Sequence, residues 1–486
     1  MNKFPPTDSL ESNLQKLESV IEKIDSLIVP TAKESEDEKK VALKIAHSIQ
    51  EALNSFSVKV FLVGSTARDT GLRGERDIDL FVCFPQTFSK DEIVSHTFKA
   101  TKMSVIADWQ THYASHPYLQ SVIEGYAVEV IPCFIVLANQ PIKSAVDRSP
   151  LHMDYLQKRL TLSQKRDVRV LKKLLKTAGI YGAESSIGGF SGLLCEYMIL
   201  NYRSLIGLLT SASKWIPPVI IDLEGTRTQN ESDIIKLKEQ FSTPLILIDA
   251  IDFNRNVSAS VGLTAFSSFV SIANSLLSNP SETFFLNEKS KPQSSMDVVE
   301  LEKQVEKRGT SFIALTFPLP NSVVDDIVFP QIRKTVQSIH SKLLLEDFNV
   351  IDYHLKLYEK QALVFFELQS GKRTKIKKIS GPPAYLFTPS LDFLSNHPPQ
   401  SILRGPYIDG ERIVIEVLRN IIDSDKFLVE LLKTENAISI GPDIKESINR
   451  GKVYSHIQFM ELLKLKESEF ARFALEEYLF KRSFWL

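Results

Sequence analysis

Residues 61–82 run FLVGSTARDTGLRGERDIDLFV. The apolar, β-branched start of this stretch, led in by Val58-Lys59-Val60, ends in glycine and predicts a buried strand entering a turn at Gly64-Ser65. After eleven intervening residues Asp77-Ile78-Asp79 opens a second strand signal, IDLFVCF. Residues two apart on a strand face the same way, so Asp77 and Asp79 project together while Ile78 and Leu80 pack into a core. Two carboxylates side by side repel unless a cation lies between them. A divalent metal suits, or a pair about 3.5–4 Å apart as in two-metal phosphoryl chemistry. Oxygen-only ligation beside a phosphate substrate points to magnesium, Mg2+.

The turn supplies the other half of that chemistry. Gly64 lets the backbone approach a phosphate closely, and a helix beginning at Ser65 offers unpaired N–H groups and the positive end of its dipole to a triphosphate. The Ser65 hydroxyl adds a hydrogen bond, and Arg68, one turn on, brings a planar fork of donors. Alone, an Asp-x-Asp reads as a solvated strand edge and a Gly-Ser pair as a loop. Together, between two apolar strand signals, they point to a nucleoside triphosphate and its metals.

Around this stretch the chain is long and nearly neutral. Its 486 residues exceed a single core and predict two to four domains. With 58 Lys+Arg against 59 Asp+Glu, any anionic partner must be met by local basic stretches. Cys83, Cys133 and Cys195 lie far apart with no C-x-x-C, which argues against a zinc site or a disulfide framework and fits a reducing cytoplasm. No stretch approaches the roughly 18 apolar residues of a membrane span, and the N-terminus lacks an export signal, so the expectation is a cytoplasmic protein with no membrane segment.

Leu10, Leu14, Leu17, Ile21, Ile24 and Ile28 recur at helical spacing behind Asp8, a helix cap, and a second helix is expected at about 35–54. AVEVIPCFIV, residues 127–136, reads as another strand, making 1 to about 150 a mixed α/β unit. From His152 to about 280 the pattern turns helical, with a glycine-rich break at Ile187–Gly192. Residues 278–297 read as a linker rich in Ser, Pro and charge. Beyond it, SFIALTF, NVIDYHLKLYE and ALVFFELQ read as strands with a helix near 325–346, a separate α/β module. Gly381-Pro-Pro383 and NHPPQS at 396–401 punctuate a further small unit, and the last thirty residues look helical.

The Gly-Ser turn, the Asp-x-Asp and a third acid on a later strand, here Glu129, resemble the nucleotidyltransferase superfamily that includes DNA polymerase β. HPYLQSVIEGYAVEVIPCF (116–134), IKSAVDRSPLH (142–152), LKKLLKTAGIYGAES (171–185), FSGLLCE (190–196) and DAIDFNRNVSASV (249–261) are similar, in order, to the archaeal class I CCA-adding enzymes. These are tRNA nucleotidyltransferases that build or repair the 3′ CCA end from CTP and ATP. The last 190 or so residues match loosely, at RGT near 308 and GPP near 381.

The resemblance implies a multidomain α+β protein. A polymerase β-like mixed-sheet head (1–151) precedes a helical central domain completing the nucleotide pocket (152–280), then an α/β C-terminal module with a small tail unit that binds tRNA (281–486). It implies catalytic and metal-ligating roles for Asp77, Asp79 and Glu129 in a two-metal Mg2+ site, and nucleotide contacts at Gly64, Ser65, Arg68, His152, Lys172 and Tyr181. Arg255, in the segment matching DFNRNV, would help read the incoming base; on a helix, Asp252 three residues earlier would offer it an ordinary ion-pair partner. Where the archaeal enzymes have Asp-Val-Val-Pro-Cys this chain has Glu129, whose added methylene moves the carboxylate outward by about one bond length, and magnesium tolerates distortion poorly.

Partners implied are the acceptor and TΨC arms of tRNA, gripped by shape and phosphate contact, and a second copy in a homodimer. The basic runs expected to face RNA are 157–176, with eight basic residues and one acidic, and 371–378, with five basic residues and no acid. A poly(A) polymerase or 2′-5′ oligoadenylate synthetase would share the turn and carboxylates, and a non-catalytic RNA-binding scaffold is the remaining alternative. Three intact acids weigh against the scaffold.

Overall fold

The computed structural model describes residues 7–75, 77–113, 117–136, 141–286, 297–320, 323, 325–434, 436–483 and 485–486. Most of the expected linker, 287–296, lies outside the described residues. The chain forms two compact units, residues 1–291 with 483–486, and residues 292–482.

The first unit begins with helices α1 (Thr7–Ile28) and α2 (Ala32–Ala52), the second capped by Thr31 and Glu34 in a reciprocal box. Strand β1 (Lys59–Val63), a single helical turn α3 (Gly64–Arg68), β2 (Asp77–Phe84), α4 (Lys90–Ser104), β3 (Gln110–Tyr113), β4 (Pro117–Ile123) and β5 (Tyr126–Phe134) follow. The sheet order is β1-β2-β5-β4-β3, with β2 and β5 parallel and the remaining pairs antiparallel. Alternation along β2 separates fold from site. Ile78, Leu80, Val82 and Phe84, with Val128 and Val130 of β5, pack against Val41, Ile45 and Ile49 of α2 and Ile93 of α4. Asp77 and Asp79 lie on the opposite face, where Phe81, Cys83 and Cys133 continue an apolar patch.

Two expectations change here. The helix foreseen at Ser65 is one turn long, closed by Asp69 in the left-handed region at φ 57°. Its dipole is correspondingly short, which leaves the N–H donors of the turn itself as the groups that could meet an anion. The β3–β4 hairpin at the sheet edge was not foreseen.

The rest of this unit is helical: α5 (Ser149–Arg159), α6 (Leu162–Thr177), α7 (Gly192–Tyr202), α8 (Leu205–Ala212), α10 (Leu263–Ser278) and α11 (Thr283–Leu286). A two-stranded parallel sheet of β6 (Val219–Asp222) and β7 (Leu245–Ile248), bridged by α9 (Glu231–Gln240), is set among them. Although α1 precedes the sheet in the chain, its Leu17, Val20, Ile21, Ile24 and Ile28 are buried in the core of the helical part, on which Trp485 also packs.

The basic run 157–176 is spent inside this unit. Arg166 reaches Glu18 at 2.8 Å, Arg169 reaches Asp25 at 2.8 Å, Lys165 reaches Asp69 at 3.1 Å and Lys176 pairs with Glu75. It fastens α1 and the 69–75 loop to α6, so the expected open basic face is largely neutralised.

The second unit contains α12 (Val298–Arg308), β8 (Ser311–Pro318), α13 (Asp325–Leu345), β9 (Val350–Tyr358), β10 (Gln361–Leu368), β11 (Ile376–Pro383), α14 (Phe387–Ser395), β12 (Ile402–Asp409) and β13 (Arg412–Leu418). After these come α15 (Ser424–Lys433), α16 (Lys445–Asn449), β14 (Lys452–Tyr454), α17 (His456–Lys464) and α18 (Glu469–Leu479). An antiparallel sheet, β14-β8-β10-β9, is covered on both faces, and β11-β13-β12 form a separate small sheet inserted before α15. Ile313, Leu315, Val364 and Phe366 meet α13 and α15, while Phe312, Ala314, Leu363 and Phe365 meet α12, α17 and α18. Burial on both faces explains why these strands read as continuous apolar runs.

The 371–378 run is partly neutralised as well. Arg373 and Lys377 both pair with Glu346, at 2.8 and 2.9 Å, and Lys378 pairs with Asp409 at 2.7 Å. Lys375 is the member with no ion pair among the described residues.

Candidate active site

The parallel register of β2 and β5 sets Asp79 directly beside Glu129 and Asp77 beside Ala127. The antiparallel register of β1 and β2 pairs Val63 with Asp79, which lays Gly64 against the Asp79 side chain. Gly64 has φ +79°, and a Cβ built on it would fall 2.2 Å from Asp79 Oδ2. Both the left-handed backbone and the lack of room therefore require glycine. Thr66 steadies the turn by donating to Glu38 Oε1 and to the Asp77 carbonyl, each at 2.9 Å. The Ser65 side chain lies beside Gly71 and lines a cavity of about 60 Å³ with Glu38, Thr66 and Arg169.

The three carboxylates feel one another. Burial, then the charge of Asp77, push the Asp79 carboxyl up to about 6 against the pull of Arg68. Burial, then Asp79 and Asp77, push Glu129 up to about 7. Asp77 is raised by burial and by Glu75. Among the described residues no three His, Cys, Asp or Glu side chains are drawn together as a ready metal cage; like charges oppose closer approach without a cation between them. All-oxygen donors whose ionisation is opposed by their neighbours form a set that a hard divalent cation fits.

The sign of a pH effect follows. Both acids bind protons more tightly in the folded state, so the stability those protons supply is complete below the usual carboxylate range. It is lost as pH rises through about 6 and about 7. A divalent cation bound by these groups competes with the same protons. The rise in Tm on adding magnesium is therefore expected to grow from about pH 5.5 to about pH 8 in a thermal melt. A rise of the same size at both pH values would remove Asp79 and Glu129 as ligands.

Behind the turn lies a buried charged cluster. Arg68 Nε donates to Glu196 Oε1 at 2.9 Å, the Thr70 hydroxyl donates to the same oxygen at 2.6 Å, and Lys172 Nζ donates to the Thr70 carbonyl at 2.9 Å. Glu196 is fully buried and Lys172 is 2 % exposed. Burial opposes the Glu196 charge, yet Arg68 and Lys172 hold its pKa below the usual range. Burial lowers that of Lys172, with Glu196 resisting. Gly192 opens toward this cluster: a Cβ there would lie 3.1 Å from the Tyr181 hydroxyl and 3.7 Å from Lys172 Nζ. Two cations face one anion, and Arg68 Nη1 lies 3.9 Å from Met153 Sδ.

A second network gathers His152 and Arg255. The His152 Nε2 lies 2.8 and 3.0 Å from the two oxygens of Asp249. Arg255 Nη1 donates to Asp249 Oδ2 at 2.7 Å, and the Ile251 N–H donates to Oδ1 at 2.9 Å. Asp249 is fully buried; burial works against its charge, but His152 first and then these other donors keep it strongly acidic. The alternative ion pair of Arg255 with Asp252 does not form: Asp252 is held by Arg148 at 2.8 Å, and the segment is a series of turns.

Gln120, Glu196 and Asp249 were not foreseen. The last two had a signal: each is a lone carboxylate inside an apolar run, LLCEYMIL and LILIDAI, which predicts a buried acid needing partners. Gln120, on an unforeseen strand, had none.

Residues 42–152 match the nucleotidyltransferase domain, residues 166–286 the tRNA nucleotidyltransferase second domain, and residues 308–456 the CCA-adding enzyme C-terminal domain. A CCA-adding enzyme from Methanothermobacter thermautotrophicus is 32% identical over 92% of this chain and 96% of its own. One from Methanosarcina mazei is 32% identical over 96% and 98%, and one from Haloarcula marismortui 30% over 90% and 93%.

Proposed function

The chain belongs to the CCA-adding enzyme family of tRNA nucleotidyltransferases, and from that premise we propose how its own residues carry the reaction. The protein adds and repairs the 3′-terminal CCA of tRNA from CTP and ATP, by attack of the tRNA 3′-hydroxyl on the α-phosphate with release of pyrophosphate. Similarity over nearly the whole length of the curated relatives carries this reading over a poly(A) polymerase or a scaffold.

Asp79 and Glu129, adjacent on parallel strands, with Asp77 one pleat away, would hold divalent metal, taken here as two Mg2+ ions. When bound, the metal supplies acidification of the 3′-hydroxyl and neutralisation of the departing pyrophosphate. The N–H groups of the Gly64–Arg68 turn and the Ser65 hydroxyl would take the triphosphate, approached closely because Gly64 has no side chain. Arg68 and Lys172 add the positive field, and Tyr181 beside Lys172 completes that wall. Arg255 would present fixed guanidinium donors to the base, and His152, bonded to the same Asp249 through Nε2, would turn Nδ1 to the nucleotide. Fixed polar groups favour selection because a base that leaves them unpaired is penalised.

Residues 1–151 serve as catalytic head, 152–280 complete the nucleotide pocket, and 281–486 grip the acceptor and TΨC arms in a cytoplasmic homodimer. The ion pairs of the 371–378 run leave Lys375 as its most available phosphate contact.

The test is to give the purified chain magnesium, CTP and ATP with tRNA ending at the discriminator base, and to resolve products nucleotide by nucleotide. A stop after C, C and A is expected. An unbounded run of A would overturn the CCA reading, and tight tRNA binding with no extension would favour the scaffold.

A further inference from the structure

Asp79 is penned by the Gly64 backbone, but Glu129 has a longer side chain and a different support. Its one hydrogen-bond partner among the described residues is Gln120, directly opposite on β4, whose Nε2 donates to Glu129 Oε1 at 3.1 Å. When Glu129 is ionised it can only accept, so the Gln120 amide donates to it through Nε2. Gln120 also borders a cleft of about 350 Å³, with Asp108, Gln110, Val122 and Ala127 on its other sides. Side chains at 120 and 129 share the face that carries Asp79, since Leu119, Val128 and Val130 are all turned into the opposite core. Strand β5 lies between β2 and β4, so Gln120 grips Glu129 from the side opposite Asp79, and without the amide three free torsions would let the carboxylate rotate.

We propose that Gln120 is a positioning residue: by holding Glu129 Oε1 from the β4 side it limits the rotation of that carboxylate and leaves Oε2 for a cation shared with Asp79 on the β2 side. This rests on the reading of Glu129 as a metal ligand. Partners that orient a ligating carboxylate affect metal affinity more than the chemistry of a fully loaded site, with losses typically about 10–100-fold.

The experiment compares full-length Gln120→Ala and Gln120→Met, the latter filling the same space without a donor, in unmodified and Glu129→Asp backgrounds. Mn2+ affinity is read by electron paramagnetic resonance, and nucleotide addition is followed against magnesium concentration. Both Gln120 variants are expected to weaken Mn2+ binding about tenfold and to raise the half-saturating magnesium concentration similarly, with kcat at saturating metal within about twofold. In the Glu129→Asp background the same changes should have little effect, because the shorter side chain no longer reaches Gln120. Unchanged or tighter Mn2+ binding in Gln120→Met, with a wild-type melting curve, overturns the proposal. So does equal loss in both backgrounds. Glu129→Ala separates the parent reading: if that variant still adds nucleotides at ordinary magnesium, the ligand assignment itself has failed.

Discussion

Replacing Asp79 by Asn is expected to abolish nucleotide addition while making the metal-free protein more stable at alkaline pH. The substitution keeps shape and removes charge at a position pinned between Gly64 and Glu129. Loss of a metal-holding carboxylate removes several kcal/mol of transition-state stabilisation, on the order of 10³-fold or more in rate. The same change removes the anion that crowds Asp77 and Glu129, so at about pH 8 the metal-free Tm should rise by about 2–4 °C. Activity assays and thermal melts together make the result diagnostic, because a loss through misfolding would lower Tm. An Asp79→Asn protein that retains addition within about tenfold would sink the site assignment.

The second large effect is one of stability. Glu196→Gln leaves Arg68 and Lys172 buried with no counter-ion, and gives the amide nitrogen no acceptor where Oε2 already has no protein partner. Removing one side of a buried charge network typically costs about 3–5 kcal/mol. In a unit of this size that corresponds to a fall of roughly 10 °C in Tm. Arg68 would also lose its orientation beside the Gly64–Arg68 turn, so KM for both nucleotides should rise. A variant melting within about 2 °C of the parent would show that the ion pair is not what holds α3 to α7.

How far sequence alone reaches is seen residue by residue. The strand pair around the Gly64-Ser65 turn was legible because its apolar runs are strong and its polar positions fall on alternate residues of β2. That Asp77 and Asp79 share a face was legible from the pleat, whereas Glu129 came from the family resemblance, because no local pattern shows that β5 pairs with β2. The edge strands at 110–113 and 117–123 were not legible: QTHY is polar and mostly exposed, and a half-solvated edge strand leaves a weak period. The amphipathic face of α1 showed that it packs, but nothing in a local pattern shows on what.

The basic run on α6 misled because a charge reveals nothing of its partner. Arg166 meets Glu18 from 148 residues away, a pairing no window of sequence contains. Asp249 belongs to the same class: its neighbours in the chain are apolar, and its need for His152 and Arg255 becomes visible only in three dimensions.

The pairing of Val63 with Asp79 has a consequence for how this protein can change over generations. Gly64 meets the Asp79 carboxylate because two strands zip together, so the length of chain between turn and strand does not set their distance. A single insertion within β2 would turn the residues beyond it over, carrying core side chains outward and outward ones into the core. The loop is no freer, since Leu72 is buried in the helical core and Glu75 pairs with Lys176, so length variation among descendants should spare both and the meeting of Gly64 with Asp79 is preserved by the strand pairing.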